Sequence, residues 1–426
     1  MAGALYLFSM KYHSPLAVAL LGFLILSGFA GCSKKSDSSG TGTTGGTVSD
    51  SATVTVINGY GSGRYKVGDT VNIWSSEIPS GEVFDNWSGY SSLLENSGEW
   101  HNRFIMPSQD VTVTAALKSL ASYTLQYEKI KAVNILKNVY YYFPSGHKGI
   151  VYLLHGTGGS AQNLVNNFEW IQMMNDLVSA GYAFIVTEAE EVSLNTDLNG
   201  DGKVRWVLAP ADTTTNPDYG NMRALADTFY ARGYSTPSIP LYSIGMSDGG
   251  GFSAALSFIY KFAAGVSYCA PTSNVVTSMS TTPFQFCMAK YDNASEVGPA
   301  GNTTAQANSA ALSSRGICSK FFMHDHSPVY PQRWARWSAI SLSLSASLYK
   351  ELKSNHWLDS KNYLTAVSDT IAAAILANPS AYPVSAALTI PQYQFFLNQI
   401  DDMYAAHQFY SDYDKTTIHF LTSPCQ

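Results

Sequence analysis

Between residues 51 and 120 apolar positions recur at every second residue. Ala52-Thr53-Val54-Thr55-Val56 and Thr70-Val71-Asn72-Ile73-Trp74 carry the period of half-buried β-strands. Gly59, Gly61, Gly63 and Gly68 punctuate the turns between them. Val83-Phe84-Asp85-Asn86-Trp87-Ser88-Gly89 and Phe104-Ile105-Met106-Pro107 then lead into Val111-Thr112-Val113-Thr114-Ala115. The pattern predicts a small all-β module over residues 51–120. Trp74 and Trp87 suit its core, with a sugar-binding face as the alternative.

From residue 121 the pattern changes. Short apolar runs at 137–143, 149–154, 183–187, 239–244, 265–270, 284–289 and 319–323 read as buried strands. Stretches of helical spacing at 163–180, 222–233 and 250–259 fall between them. Strands alternating with helices predict an α/β domain over residues 121–426, built on a mainly parallel sheet with flanking helices. Trp337, Ile340, Leu344, Leu348 and Leu352 recur at helical spacing, so residues 331–402 are expected to form a helical insertion packed as a lid.

The N-terminus reads as an address. An apolar run at 16–29 follows Lys11 and His13 and closes on Ala30-Gly31-Cys32. It is short for a bilayer span, and residues 1–31 are expected to be a signal peptide. Small residues directly before a cysteine, with a polar tract after it, resemble the bacterial lipoprotein signal. That resemblance implies acylation of Cys32, export, and anchoring in the cell envelope, at the outer membrane or cell surface. Residues 32–50, rich in Ser, Gly and Thr, read as a flexible tether. The strand order of residues 51–120 resembles a single copy of the repeat module of bacterial surface proteins related to internalin B-repeats, which implies a spacer or adhesive appendage.

Only 13% of the 426 residues are charged, and the formal net charge is -6. With no basic cluster to oppose that balance, nucleic acid is excluded as a partner.

Candidate chemistry centres on Gly245-Met246-Ser247-Asp248-Gly249, which sits between an apolar strand and a helix of small residues. A strand, a sharp turn holding a serine, then a helix is the arrangement of a nucleophile elbow. Glycines are required there because neighbouring backbones leave no room for a Cβ. Upstream, the strand ending at Leu154 runs into His155-Gly156-Thr157-Gly158-Gly159-Ser160.

Together these motifs and the element order resemble the α/β-hydrolase fold, over nearly the whole of residues 121–426. The resemblance implies Ser247 as nucleophile and an oxyanion hole from the backbone N–H of Asp248 with that of Thr157 or Gly158, Met246 lining the site. His155 is expected to hold the loop rather than transfer protons. The fold's order is Ser, acid, His. The acid is then Asp292, after the 284–289 strand, with Glu296 in reserve. His407 in Tyr404-Ala405-Ala406-His407 is the expected base, just ahead of the terminal segment; His324 and His326 are the alternatives. H-G-T-G-G with G-M-S-D-G-G resembles the broad esterase group containing polyhydroxyalkanoate depolymerases and feruloyl esterases. That implies carboxylic ester hydrolysis without a cofactor, on an ester substrate of polymeric or plant-derived kind. A prolyl-oligopeptidase-like peptidase and a non-catalytic surface-binding lipoprotein are the rival readings.

Asp197-Leu198-Asn199-Gly200-Asp201-Gly202 resembles the start of an EF-hand-like calcium loop, with Asp197, Asn199 and Asp201 as ligands. Leu208 stands where the bidentate carboxylate belongs, so a polar hairpin turn is the expectation. No His and Cys cluster has zinc spacing. Of the 5 cysteines, Cys318 and Cys425 are expected to pair in an oxidising compartment. Cys269 and Cys287 can pair or remain buried thiols, and neither adjoins a residue singled out for catalysis.

Overall fold

The computed structural model describes residues 50–425. The expected signal peptide, Cys32 and nearly all of the tether lie outside the described residues.

The first part of the chain forms strands β1 (Ser51–Ile57), β2 (Gly59–Tyr60), β3 (Gly63–Lys66), β4 (Thr70–Ser75), β5 (Glu82–Gly89), β6 (His101–Ile105) and β7 (Val111–Ser119). They make one sheet of order β3-β1-β7-β5 and a second of order β2-β4-β6. Alternation along β1 places Ala52, Val54 and Val56 inside and the threonines between them outside. Trp74 and Trp87 are both buried in the shared core. Trp87 Nε1–H donates to the Glu99 carbonyl at 2.9 Å, and Trp74 stacks on Tyr330 at 4.3 Å. These rings pack the core and present no face for a sugar.

Eight further strands follow: β8 (Gln126–Lys131), β9 (Leu136–Tyr142), β10 (Ile150–Leu154), β11 (Ala183–Thr187), β12 (Leu241–Met246), β13 (Ala264–Tyr268), β14 (Phe284–Ala289) and β15 (Ser319–His324). Their order is β15-β14-β13-β12-β10-β11-β9-β8. β9 is antiparallel to both of its neighbours, and every pair from β11 to β15 is parallel. That order, with its crossovers and one reversed strand near the edge, is the α/β-hydrolase fold.

Both faces of the sheet are covered, which is why its central strands are apolar throughout rather than alternating. Val151 and Leu153 of β10 face a layer built from α1 (Ala161–Asn166), α2 (Phe168–Ser179) and the last helix. Ile150, Tyr152 and Leu154 face the opposite layer. The remaining helices, in chain order, are α3 (Glu190–Leu194), α4 (Pro217–Ala231), α5 (Asp248–Tyr260), α6 (Asn274–Met279), α7 (Gly298–Ser314), α8 (Leu342–Ser354), α9 (Ser368–Ala377), α10 (Ile390–Tyr404) and α11 (Asp414–Thr422). The helical stretch expected at 163–180 is broken at Asn167, whose side chain accepts from the N–H groups of Glu169 and Trp170 and so starts α2 afresh. Helix α4 begins ahead of its apolar periodicity because Asn216 caps it and Pro217 occupies its first turn.

Between β15 and the terminal helix, α8, α9 and α10 bury Leu348, Leu352, Ile371, Ile375, Phe396 and Ile400 in a core of their own. Tyr330, just before this insertion, is buried instead among the strands of the N-terminal sheets. Cys318 and Cys425 form a disulfide with a Cα–Cα distance of 5.8 Å, joining the start of β15 to the end of α11.

Candidate active site

Ser247 sits between β12 and α5 with φ 56° and ψ -126°. A non-glycine residue in that region is strained, and the surroundings must hold it there. The flanking glycines show how. A Cβ on Gly245 would overlap the Gly249 carbonyl, and one on Gly249 would overlap the carbonyls of Leu154 and His155. The turn closes only because both positions lack side chains. The Ser247 N–H donates to the Tyr268 carbonyl at 2.8 Å, tying the turn to β13.

The Ser247 hydroxyl donates to His407 Nε2 at 2.8 Å, and His407 Nδ1–H donates to Asp292 Oδ2 at 2.7 Å. Three residues spread over 160 positions of sequence therefore form one hydrogen-bonded line. The Asp292 side chain is fully buried, whereas His407 remains partly exposed. The second carboxylate oxygen of Asp292 accepts the N–H groups of Ala294 at 3.0 Å and Gly298 at 3.2 Å, which fixes the carboxylate plane. Asn293 Oδ1 accepts the His407 N–H at 3.2 Å, and the Tyr291 N–H donates to the Ala405 carbonyl at 2.9 Å. The turn after β14 thus grips the loop after α10 at two points. No pattern in the sequence singles out Asn293.

The other candidates lie elsewhere. His324 Nε2 contacts the Asp402 carbonyl at 2.9 Å and its ring stacks on Tyr410 at 4.1 Å. His326 lies against the rings of Tyr291 and Tyr363. Glu296 is paired with Lys203 at 2.5 Å and Arg205 at 3.0 Å.

His155 is buried beneath the loop that follows β10. Its Nδ1–H donates to the Gly156 carbonyl at 2.7 Å, and its Nε2 accepts the Ala189 N–H at 3.0 Å. Desolvation pushes its pKa down to about 4, so the ring is a neutral brace.

One expectation needs correction. The Gly158 N–H donates to the Val204 carbonyl at 3.0 Å, so it is not free for an oxyanion. Among the described residues the Thr157 N–H donates to no backbone carbonyl, and the Asp248 N–H belongs to the open first turn of α5. Met246, at the end of β12, is half-buried with its sulfur close to Gly156.

A second correction concerns Cys269. It is a buried free thiol beside Asp292 and His407, with Sγ–H donating to the Gln408 carbonyl at 3.4 Å. Burial pushes it well above the ordinary thiol range, which keeps it protonated. Cys287 is also a buried free thiol.

The loop at 197–208 has a structural task that its composition does not announce. Asp197 accepts the N–H groups of Gly200 and Gly202, both at 2.7 Å, and Asn199 accepts that of Asp201 at 3.0 Å. Asp201 Oδ2 takes Arg205 Nε at 2.9 Å. The carboxylates of Asp197 and Asp201 are turned onto the loop's own backbone and Arg205. The segment then runs over the elbow. Trp206 N–H donates to Asp248 Oδ2 at 2.8 Å, and Trp206 Nε1–H donates to the His155 carbonyl at 2.9 Å. Burial pushes the Asp248 carboxyl up to about 7, against the pull of Arg205 and the Trp206 N–H.

No family model and no curated protein matches this chain. Among solved structures, a thermostable carboxyl esterase from Bacillus coagulans is similar at 9% identity and TM-score 0.36, over 47% of this chain and 90% of that one. A dienelactone hydrolase from Anabaena variabilis is similar at 16% identity and TM-score 0.36, over 47% and 86%. An acylaminoacyl peptidase from Pyrococcus horikoshii is similar at 10% identity and TM-score 0.34, over 62% and 48%. The fold itself rests on strand order and register.

Proposed function

We propose that this chain is a serine hydrolase of carboxylic esters, exported and held to the cell envelope through lipidated Cys32. The observation that carries the catalytic reading is the line Ser247–His407–Asp292, set on a strained elbow with unspent N–H groups beside it. The tether reading is carried by the Ala30-Gly31-Cys32 pattern.

The chemistry follows from the geometry. As Ser247 Oγ attacks the ester carbonyl carbon, its proton passes to His407 Nε2. Asp292 holds the ring through Nδ1 and stabilises the imidazolium. The carbonyl oxygen becomes an oxyanion, met by the N–H groups of Thr157 and Asp248. Collapse expels the alcohol, which takes the proton from His407 and leaves acyl-Ser247. Water then gives its proton to His407, attacks the acyl carbon, and the acid departs as Ser247 regains its hydrogen.

The test is hydrolysis of p-nitrophenyl acetate, butyrate and octanoate beside a chromogenic peptide amide, by soluble protein lacking residues 1–49. Ester turnover lost in Ser247→Ala and His407→Ala, and kept in His326→Ala, supports the reading. Turnover of the peptide alone points to a peptidase, and no turnover of either supports a binding protein.

A further inference from the structure

Three parts of the fold enclose a cleft of about 1430 Å³. Its walls come from the N-terminal sheets around Ser75–Glu82 and Trp100, from α1 and α2, and from the insertion around Trp337 and α10. Gln408, the residue after His407, is in its wall, and Ser247 is not. The space is larger than the roughly 300–1,000 Å³ that encloses a small ligand.

The wall chemistry is distinctive. Asn163, Asn166, Gln172, Asn175, Gln394 and Asn398 present amide groups from two separate layers. Asn163 Oδ1 already accepts the Ser160 hydroxyl, Asn175 Oδ1 the Tyr123 hydroxyl at 2.9 Å and Asn398 Oδ1 a Gln394 Nε2–H at 3.2 Å, which leaves their N–H donors, the Gln394 carbonyl oxygen, and the amides of Asn166 and Gln172 to face the cleft. Two of the three charged residues in the wall are already engaged. Arg336 is bonded to Glu169 at 2.9 Å and lies over the Trp100 ring at 3.7 Å. Glu77 accepts the Tyr60 hydroxyl at 2.7 Å. Half-buried Tyr123, Phe168 and Trp337 add aromatic rings among the amides. Uncharged two-way hydrogen-bonding groups mixed with rings suit a ligand that is itself uncharged, rich in hydroxyls and faced with C–H groups. An anionic chain would find no free cation there, and a wholly apolar one would cover the remaining amide donors and acceptors without satisfying them.

We infer that this cleft is a glycan-binding subsite that grips a neutral polysaccharide chain while an acyl group borne on that chain reaches Ser247. The inference rests on the ester-hydrolase reading and names its substrate class: an acylated neutral polysaccharide. The N-terminal sheets then form one wall of the substrate site.

The experiment measures binding by calorimetry, using protein lacking residues 1–49 and carrying Ser247→Ala. Probes are xylohexaose, cellohexaose, mannohexaose, a hexagalacturonate and a 3-hydroxybutyrate oligomer. Expected is saturable binding of at least one neutral hexasaccharide, weakened about tenfold or more in a further Gln394→Ala, Asn166→Ala variant whose melting temperature is unchanged. Binding of the polyester oligomer or the hexagalacturonate in preference to every neutral glycan overturns the inference, as does no binding of any neutral glycan at millimolar concentration. Wild-type turnover of p-nitrophenyl acetate, measured in parallel, separates the two claims. Turnover without glycan binding removes the subsite and leaves the esterase; glycan binding without turnover does the reverse.

Discussion

His101 Nδ1 lies 2.6 Å from Asp412 Oδ2, and this buried contact joins β6 of the N-terminal sheets to the segment that carries His407. Asp412 is held below the usual carboxylate range: burial opposes its charge, but His101, His324 and Arg333 more than offset that. At the other end of the His407 loop, Asp402 pairs with buried Arg333. The loop is therefore clamped before and after the histidine, once from the insertion and once from the N-terminal sheets. Glu99 and Asn96 add to the second clamp by bonding Thr416 at 2.7 and 2.8 Å.

Removing His101 leaves Asp412 buried with less compensation, a change that costs about 3 kcal/mol or more where measured in other proteins. His101→Ala is expected to lower both stability and kcat, and His101→Gln to recover part of each. Denaturant melts and p-nitrophenyl butyrate kinetics read both. A His101→Ala protein that melts and turns over like wild type would remove the clamp from the mechanism.

The two elbow glycines differ from their neighbour in the helix. A Cβ on Gly249 overlaps the backbone of β10, whereas one on Gly251 meets only Leu208 Cδ1 at 3.3 Å. Gly249→Ala is expected to cost about 3 kcal/mol or more, since backbone cannot give way as a side chain can. Gly251→Ala is expected to stay within about 1 kcal/mol of wild type, helped by alanine's helix propensity. Thermal melts of the two variants side by side give the answer.

A pH dependence of stability follows from Glu99. It is buried near Asp176, Asp414 and Lys415, and desolvation pushes it from its ordinary 4.5 up to about 8, despite N–H donors from Thr416 and Lys415. A carboxyl that binds its proton more tightly folded than unfolded contributes stability in full below its unfolded pKa. That contribution is lost as pH rises through the folded value. Between about pH 5 and 8 the melting temperature of wild type should therefore fall more steeply than that of Glu99→Gln. Parallel slopes would show that Glu99 ionises without cost.

Asp292→Asn keeps the shape of the carboxyl but offers His407 Nδ1 an amide. In a serine triad that substitution traps the wrong tautomer and lowers kcat by about 10⁴. The expected result is a loss of that order with KM little changed, read by steady-state ester hydrolysis. A kcat within tenfold of wild type would assign the orienting role to another group.

Much of this arrangement is legible in the chain because it is local. Strand β12, the glycines around Ser247 and the loop after Leu154 are contiguous patterns, and each forms the element its pattern implies. Relations between distant segments are not legible in that way. The choice among His324, His326 and His407 depends on how residues 331–402 return to the sheet, which no spacing encodes. Gly158 and Thr157 look equivalent in sequence, and only the Val204 carbonyl, brought over by the 197–208 loop, distinguishes them. The appendage expected of residues 51–120 is, in the structure, packed within the same compact unit as the sheet, through partners such as Tyr330, Asp412 and Thr416 that lie hundreds of positions away.

The most direct test of the central claim is covalent labelling with an alkyl fluorophosphonate, followed by peptide mapping and residual ester hydrolysis. One adduct per chain on the peptide holding Ser247, with activity falling in step with labelling and slow labelling of His407→Ala, is the expected result. An adduct at another residue, or a fully labelled Ser247 in a protein that still cleaves esters at the wild-type rate, would contradict it.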